Sequence, residues 1–193
     1  QDNQCKPSAG AALSTGSDGS TSASTNGSTT FTSSTGESLP LDGNALKYAQ
    51  AIIAEGQKRG LPADQIAAAL ATVAVESRFR MYANPAVPES MSIPHDAVES
   101  DHDSVGLFQQ RNSWGSAADR MDPAKSAGLF YDRLVPWVQK HPGASVGQMA
   151  QGVQVSAFPD RYAAWEQTVR QLIGNVGGTT CSTATGEGWA YPL

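Results

Sequence analysis

Glu76 closes the apolar run Thr72-Val73-Ala74-Val75, and a carboxylate in such company is unusual because Glu is seldom buried without a partner. At the end of a helix it could simply face solvent. It could also be a general acid set in apolar surroundings, the arrangement by which glycosidases protonate a leaving oxygen. A second concentration of chemistry follows in Glu99-Ser100-Asp101-His102-Asp103, with His95 and Asp96 just before it. Asp101, Asp103 and Gly106 stand at the first, third and sixth positions of a calcium loop. Val105, however, stands where a ligand belongs, and Asn112 where a bidentate Glu belongs. No metal is therefore assigned, and no cofactor is expected. The stretch reads as a solvated acidic loop, or as the place from which Asp101 or Asp103 orients water or stabilises positive charge opposite Glu76. Third, Gly106-Leu107-Phe108-Gln109-Gln110 combines a glycine that lets backbone pass close to a ligand, two apolar residues for a core, and amides for substrate hydroxyls.

These residues need a scaffold, and the periodicity supplies a mainly helical one. Asp42 or Asn44 can cap a helix through Gly56, with Leu46, Ala49, Ile52 and Ile53 on one face and Gly60 beyond its end. Pro62 suits the first residue of the next helix and Asp64 its first turn. Ile66, Leu70, Val73 and Ser77 lie at helical spacing there, with alanines beside them that let neighbours approach, so this is the core helix and Glu76 is at its end. From Met81 to Met121 the pattern breaks, interrupted by Asn84-Pro85, Val87-Pro88 and Ile93-Pro94; a loop that long inside a compact domain is usually functional. It has room for a short β-hairpin between residues 85 and 110, but no series of strands is evident. Asp122-Pro123 opens another helix with Leu129, Phe130, Leu134 and Trp137. Ser145 to Ala157 and Arg161 to Val176 read as two more.

The remainder bounds the function. Hydrophobic residues make up 39% of the 193, low for a compact domain, but residues 6–38 are almost all Ser, Thr, Gly and Ala with Phe31 the one aromatic. Such a tract cannot bury enough apolar surface to offset its ordering entropy, so residues 1–38 are expected to be a flexible tail or linker and the domain to span residues 39–176. Residues 177–193, ending Gly186-Glu187-Gly188-Trp189-Ala190-Tyr191-Pro192-Leu193, read as a tail joining a further module. The start at Gln1, with neither an initiator Met nor a signal-peptide pattern, reads as a processed product or a piece of something longer. A net charge of −5 without a basic run argues against a nucleic-acid partner, and no apolar run reaches the roughly 18 residues a membrane helix needs. Cys5 and Cys181 flank everything that looks folded; they are either unrelated thiols or one disulfide joining the tails, and an extracellular setting favours the disulfide.

Taken in order over Leu46 to Ile173, these pieces resemble the lysozyme-like superfamily, and within it lytic transglycosylases and goose-type lysozymes. The family's apolar helix ending in Glu-Ser is matched by Ala74-Val75-Glu76-Ser77-Arg78-Phe79, and its Gly-Leu-Met-Gln by Gly106-Leu107-Phe108-Gln109. Its Ala-Tyr-Asn-Ala-Gly is degenerate here, with Gly152-Val153-Gln154-Val155-Ser156 in the slot. The stretch from Asp101 to Arg111 is similar to versions in secreted cell-wall enzymes of actinobacteria and their phages. The resemblance implies a lysozyme-like helical domain with a long active-site loop, secreted or acting on the cell wall, whose partner is the glycan strand of peptidoglycan. It implies that Glu76 protonates the β-1,4 bond between N-acetylmuramic acid and N-acetylglucosamine. A transglycosylase then uses the sugar's own 6-hydroxyl and gives a 1,6-anhydro product, whereas a goose-type muramidase uses water and a second carboxylate. Asp101 and Asp103 match the preceding acidic position loosely, and Gln110-Arg111-Asn112 offers no acid after the motif, which favours the transglycosylase. Ser77 and Gln109 are then expected to bind sugar, Gln154 to support Glu76 or the substrate, and Tyr162 and Trp114 to be either stacking faces or core. A monomer is expected. The rivals are a glycan-binding module without catalysis and a peptidase; for the latter, both cysteines lie outside the core and no His-Glu-x-x-His is present.

Overall fold

The computed structural model describes residues 22–23 and 29–176. The protein is mainly helical: α1 (Gly43–Lys58), α2 (Ala63–Glu76), α3 (Ala117–Arg120), α4 (Pro123–Lys140), α5 (Val146–Gln154) and α6 (Glu166–Val176). Helix α2 is the axis of the core, and α1, α4, α5 and α6 all pack on it. Every residue from Ile66 to Ala74 is buried. Its alanines make that burial compatible with neighbours on all sides: they are the best helix formers, lose no side-chain entropy and keep the helix thin.

Local chemistry sets the ends of the surrounding helices. Of the two caps the sequence offers for α1, Asp42 takes the role, accepting from the Ala45 amide at 2.8 Å. The Asn44 amide instead donates to Asp96 at 3.4 Å. Asp122 accepts from the Lys125 amide at 2.8 Å, with Pro123 opening α4. Tyr131 ties α4 to α1 by donating to the Ile52 carbonyl at 2.9 Å. Ser145 and Gln148 form a reciprocal capping box at the start of α5. The expected run to Ala157 stops earlier, because Val155 turns left-handed at φ 49°. The helix expected from Arg161 is replaced at its start by two 3₁₀ turns, Pro159–Arg161 and Ala163–Trp165; α6 proper begins at Glu166.

The expected tail through residue 38 is corrected over its last ten residues. Strands β2 (Thr29–Thr32) and β3 (Ser38–Leu41) pair antiparallel, Thr29 opposite Leu41 and Phe31 opposite Leu39, and β1 (Ser22–Ala23) adds to the other edge of β2. Phe31, Leu39 and Leu41 alternate inward and are at most 3% exposed. The Ser/Thr richness that reads as low complexity is also a β-branched alternation around one aromatic, and that period places the segment in the fold. Residues 1–21, 24–28 and 177–193 lie outside the described residues, and with them Cys5 and Cys181.

The long loop contains no hairpin between residues 85 and 110 of the kind expected. It has a parallel pair, β4 (Tyr82–Ala83) with β5 (Ala97–Val98), and one antiparallel bridge between Val105 and Gln110. Among the described residues no helix is long and apolar enough to cross a membrane.

Candidate functional site

Glu76 is the last residue of α2, where the chain turns sharply out of the helix. Ser77 caps it, then Arg78 and Phe79 both adopt left-handed backbone at φ 54° and 59°. Two such residues in succession, neither glycine, cost roughly 1–2 kcal/mol each. The turn is held by burial of Phe79, 1% exposed, by the Arg80 amide donating to the Ser77 carbonyl at 3.1 Å, and by Arg78, whose guanidinium donates to the Ser38 carbonyl of β3. The hairpin that looked like a tail thus braces the residues that follow Glu76.

Glu76 is half-buried, and the Tyr162 hydroxyl donates to its Oε1 at 2.6 Å. Tyr162 is completely buried. Burial first, then the Glu76 carboxylate at its hydroxyl, push the Tyr162 phenol well above its usual range, with the Ser156 side chain pulling slightly the other way. The phenol therefore stays a donor at any physiological pH and fixes Oε1, while Oε2 has no hydrogen bond among the described residues. A carboxyl group held by one oxygen with the other open is suited to deliver or accept a proton at a bound ligand. Replacing Tyr162 by Phe removes that donor without changing the packing. It is expected to lower turnover of a Glu76-dependent reaction by about tenfold, the worth of one hydrogen bond to a charged group. A steady-state rate equal to wild type would mean that Tyr162 serves packing alone.

The segment Gly106-Leu107-Phe108-Gln109 is a tight loop closed by the Val105–Gln110 bridge, each residue donating its amide to the other's carbonyl at 3.1 Å. Leu107 and Phe108 are fully buried, and the Phe108 ring stacks on Phe130 of α4 with centroids 5.2 Å apart. Gly106 sits at φ 83°, and a Cβ there would lie 2.1 Å from the Arg120 carbonyl oxygen, so no side chain fits. Gln109 is also left-handed, φ 52°, and its amide returns to the Gly106 carbonyl at 3.0 Å. Gln154 joins this loop to the rest by donating to the Phe108 carbonyl at 3.3 Å. Two residues on, Ser156 meets Tyr162. The C-terminal end of α5 is thus the bridge between the Gly106–Gln109 loop and Glu76, although its residues are the degenerate ones.

The structure corrects several expectations. Ser77 is 2% exposed and its hydroxyl is turned back onto the Val73 carbonyl at 3.2 Å, so it caps α2 and is not presented to a ligand. Tyr162, fully buried, offers no ring face to a sugar and acts through its hydroxyl. Trp114 is neither core nor a free face: it is half-buried, with the Arg133 guanidinium 3.7 Å above its ring. Asp103 ion-pairs with Arg111, whose guanidinium holds the carboxyl below the usual range, and Asp101 is 63% exposed with His102 at 3.6 Å. Neither has a hydrogen bond or ion pair to Glu76 among the described residues.

Two buried side chains that the sequence does not advertise shape the acidic loop. Asn84, fully buried, donates through its amide to the carbonyls of Asp101, His102 and Ser104 at 3.3, 3.0 and 3.1 Å. Arg120, 1% exposed, donates to the carbonyls of Asp103, Gln110 and Gly115 at 2.9, 2.9 and 3.0 Å and to the Asn112 side chain at 2.6 Å. A search against family models finds no match, and neither does a search of curated proteins.

Proposed function

We propose that the protein is a peptidoglycan glycosidase acting through Glu76, a lytic transglycosylase of the lysozyme-like superfamily, secreted or acting on the cell wall. The observation that carries this reading is the Glu76–Tyr162 contact. A carboxyl group stands at the end of the core helix with one oxygen anchored by a buried phenol and the other open, in register with the Gly106–Gln109 loop through Gln154. In the proposed reaction Glu76 gives its proton to the glycosidic oxygen between the muramic acid and glucosamine units. The 6-hydroxyl of the muramic acid attacks the anomeric carbon, and the Glu76 carboxylate takes the proton that this hydroxyl loses. The bond to the leaving sugar breaks, the 1,6-anhydro ring forms, and the acid is restored. In this reading Gln109, half-buried on the loop, meets the sugar, while Gln154 donates to the Phe108 carbonyl and supports the loop.

One carboxylate suffices for this chemistry, whereas an inverting hydrolase needs a second to activate water. The pairing of Asp103 with Arg111 and the solvent exposure of Asp101 favour the single-carboxylate route. Digestion of purified walls followed by mass spectrometry of the released muropeptides tests it. Anhydro ends are expected; free reducing ends would replace the transglycosylase by a muramidase. Intact strands after prolonged digestion would remove the enzymatic reading in favour of a glycan-binding module.

A further inference from the structure

Helix α5 touches the loop that carries Tyr162 at two places. Gly147 lies against Ala163: a Cβ on Gly147 would stand 3.0 Å from the Ala163 Cβ and 3.2 Å from its Cα and N, so bare backbone makes this approach. One turn later the Gln151 side-chain amide donates to the Ser156 carbonyl at 3.0 Å, across the point where the helix ends. Tyr162 lies in the chain between these contacts, where it joins the two 3₁₀ turns. The second contact spans a turn that is unfavourable in two respects. Val155 is left-handed at φ 49°, which a β-branched side chain resists, and at 78% exposed it gains no burial in return. Gln151 Oε1 is buried with no hydrogen bond among the described residues, a cost that an apolar side chain would avoid.

What the turn achieves is the placing of Ser156. The Val155 amide closes the helix on the Gln151 carbonyl at 2.8 Å, the Gln151 side chain holds the Ser156 carbonyl, and the Phe158 amide donates to Ser156 Oγ at 2.9 Å. The Ser156 side chain is near enough to Tyr162 to draw its phenol back toward the usual range, against burial and Glu76. Strain kept at such a turn points to a functional constraint. We propose that Gln151 is a positioning residue: by clamping the Ser156 carbonyl it holds the left-handed turn at Val155 and, through the loop to Tyr162, sets the Tyr162 hydroxyl on Glu76. Gln151 makes no hydrogen bond to Glu76 or Tyr162 among the described residues and acts only through that loop. The consequence for turnover rests on the glycosidase reading above; the placing of the hydroxyl does not.

The test uses the full chain with two changes, so that it survives if one variant does not fold. Gln151→Met keeps the length and loses the donor, and Gln151→Asn keeps the amide and shortens its reach. In protein isotope-labelled at tyrosine Cζ for NMR, the five tyrosines give five signals, and the one missing from Tyr162→Phe belongs to Tyr162. Cζ reports the hydrogen bond of its own hydroxyl, so this signal is expected to shift in both Gln151 variants. A signal at the wild-type position overturns the proposal. On soluble wall fragments Gln151→Met is expected to lower kcat about three- to tenfold with KM within about twofold, the pattern of an interaction that serves the reacting state. In a Tyr162→Phe background the same change is expected to add nothing, because the hydroxyl it places is gone. An unchanged kcat, or an equal further loss in that background, overturns the proposal. Fragments left uncut by wild type would overturn the glycosidase reading alone, and the Cζ signal would still decide the role of Gln151.

Discussion

Glu76→Gln is expected to reduce wall lysis by about 10²–10⁴-fold, the usual contribution of a positioned general acid, with the melting temperature close to that of the parent. The amide matches the carboxyl in shape, and its oxygen can still accept from the buried Tyr162 hydroxyl, so packing at the end of α2 survives. What is lost is the proton, and no other carboxylate is hydrogen-bonded to this position among the described residues to supply one. Turbidity loss on purified walls, read beside a thermal melt, checks both halves. Lysis within tenfold of wild type by a folded Glu76→Gln protein would sink the central assignment.

The second large effect lies away from the acid. Arg120→Met keeps volume but removes the guanidinium donors that gather the loop from Asp103 to Ser116. Its four carbonyl partners, on Asp103, Gln110, Gly115 and Ser116, and the Asn112 side chain then lose a bond in a largely dry setting. With about 1–3 kcal/mol at stake per stranded acceptor, a loss of about 3–5 kcal/mol of folding stability is expected. Urea unfolding should show a lower midpoint with little change in slope. Burial pulls the proton affinity of the guanidinium below its usual range, and the charges of Asp103 and Glu89 offset only part of that. A midpoint within a few tenths of a molar of wild type would show that water replaces Arg120 freely.

The comparison of sequence with structure separates what periodicity can carry from what it cannot. Helix α2 and the placing of Glu76 at its end were legible, because alanine and aliphatic spacing report burial directly. So were the caps Asp42 and Asp122, whose side chains act within three residues of themselves. Arg120 and Asn84 were not, since their partners are backbone carbonyls more distant in the chain and any residue type could supply those. The turn after Glu76 was hidden for a related reason: left-handed backbone at Arg78 and Phe79 has no glycine to announce it. The turning of the Ser77 hydroxyl onto the Val73 carbonyl was hidden, as the sequence shows a hydroxyl without showing which way it points. Phe31 was overlooked because composition averaged over its whole tract outweighed a four-residue alternation.

The β2–β3 hairpin has a mechanical corollary. Thr29 and Leu41 face each other at its open end, whereas Thr32 and Ser38 close the end next to the turn. Tension drawn through the chain ahead of β2, against the body of the domain that begins at α1, therefore loads the ladder as a zipper rather than in shear. The β2–β3 pairs are then loaded one at a time from Thr29 onward, and the pair that includes Ser38 is the last in line. The carbonyl gripped by Arg78 belongs to that residue. Peeling of the leading strand therefore reaches Ser38, and through it the turn after Glu76, only after every other β2–β3 pair has opened.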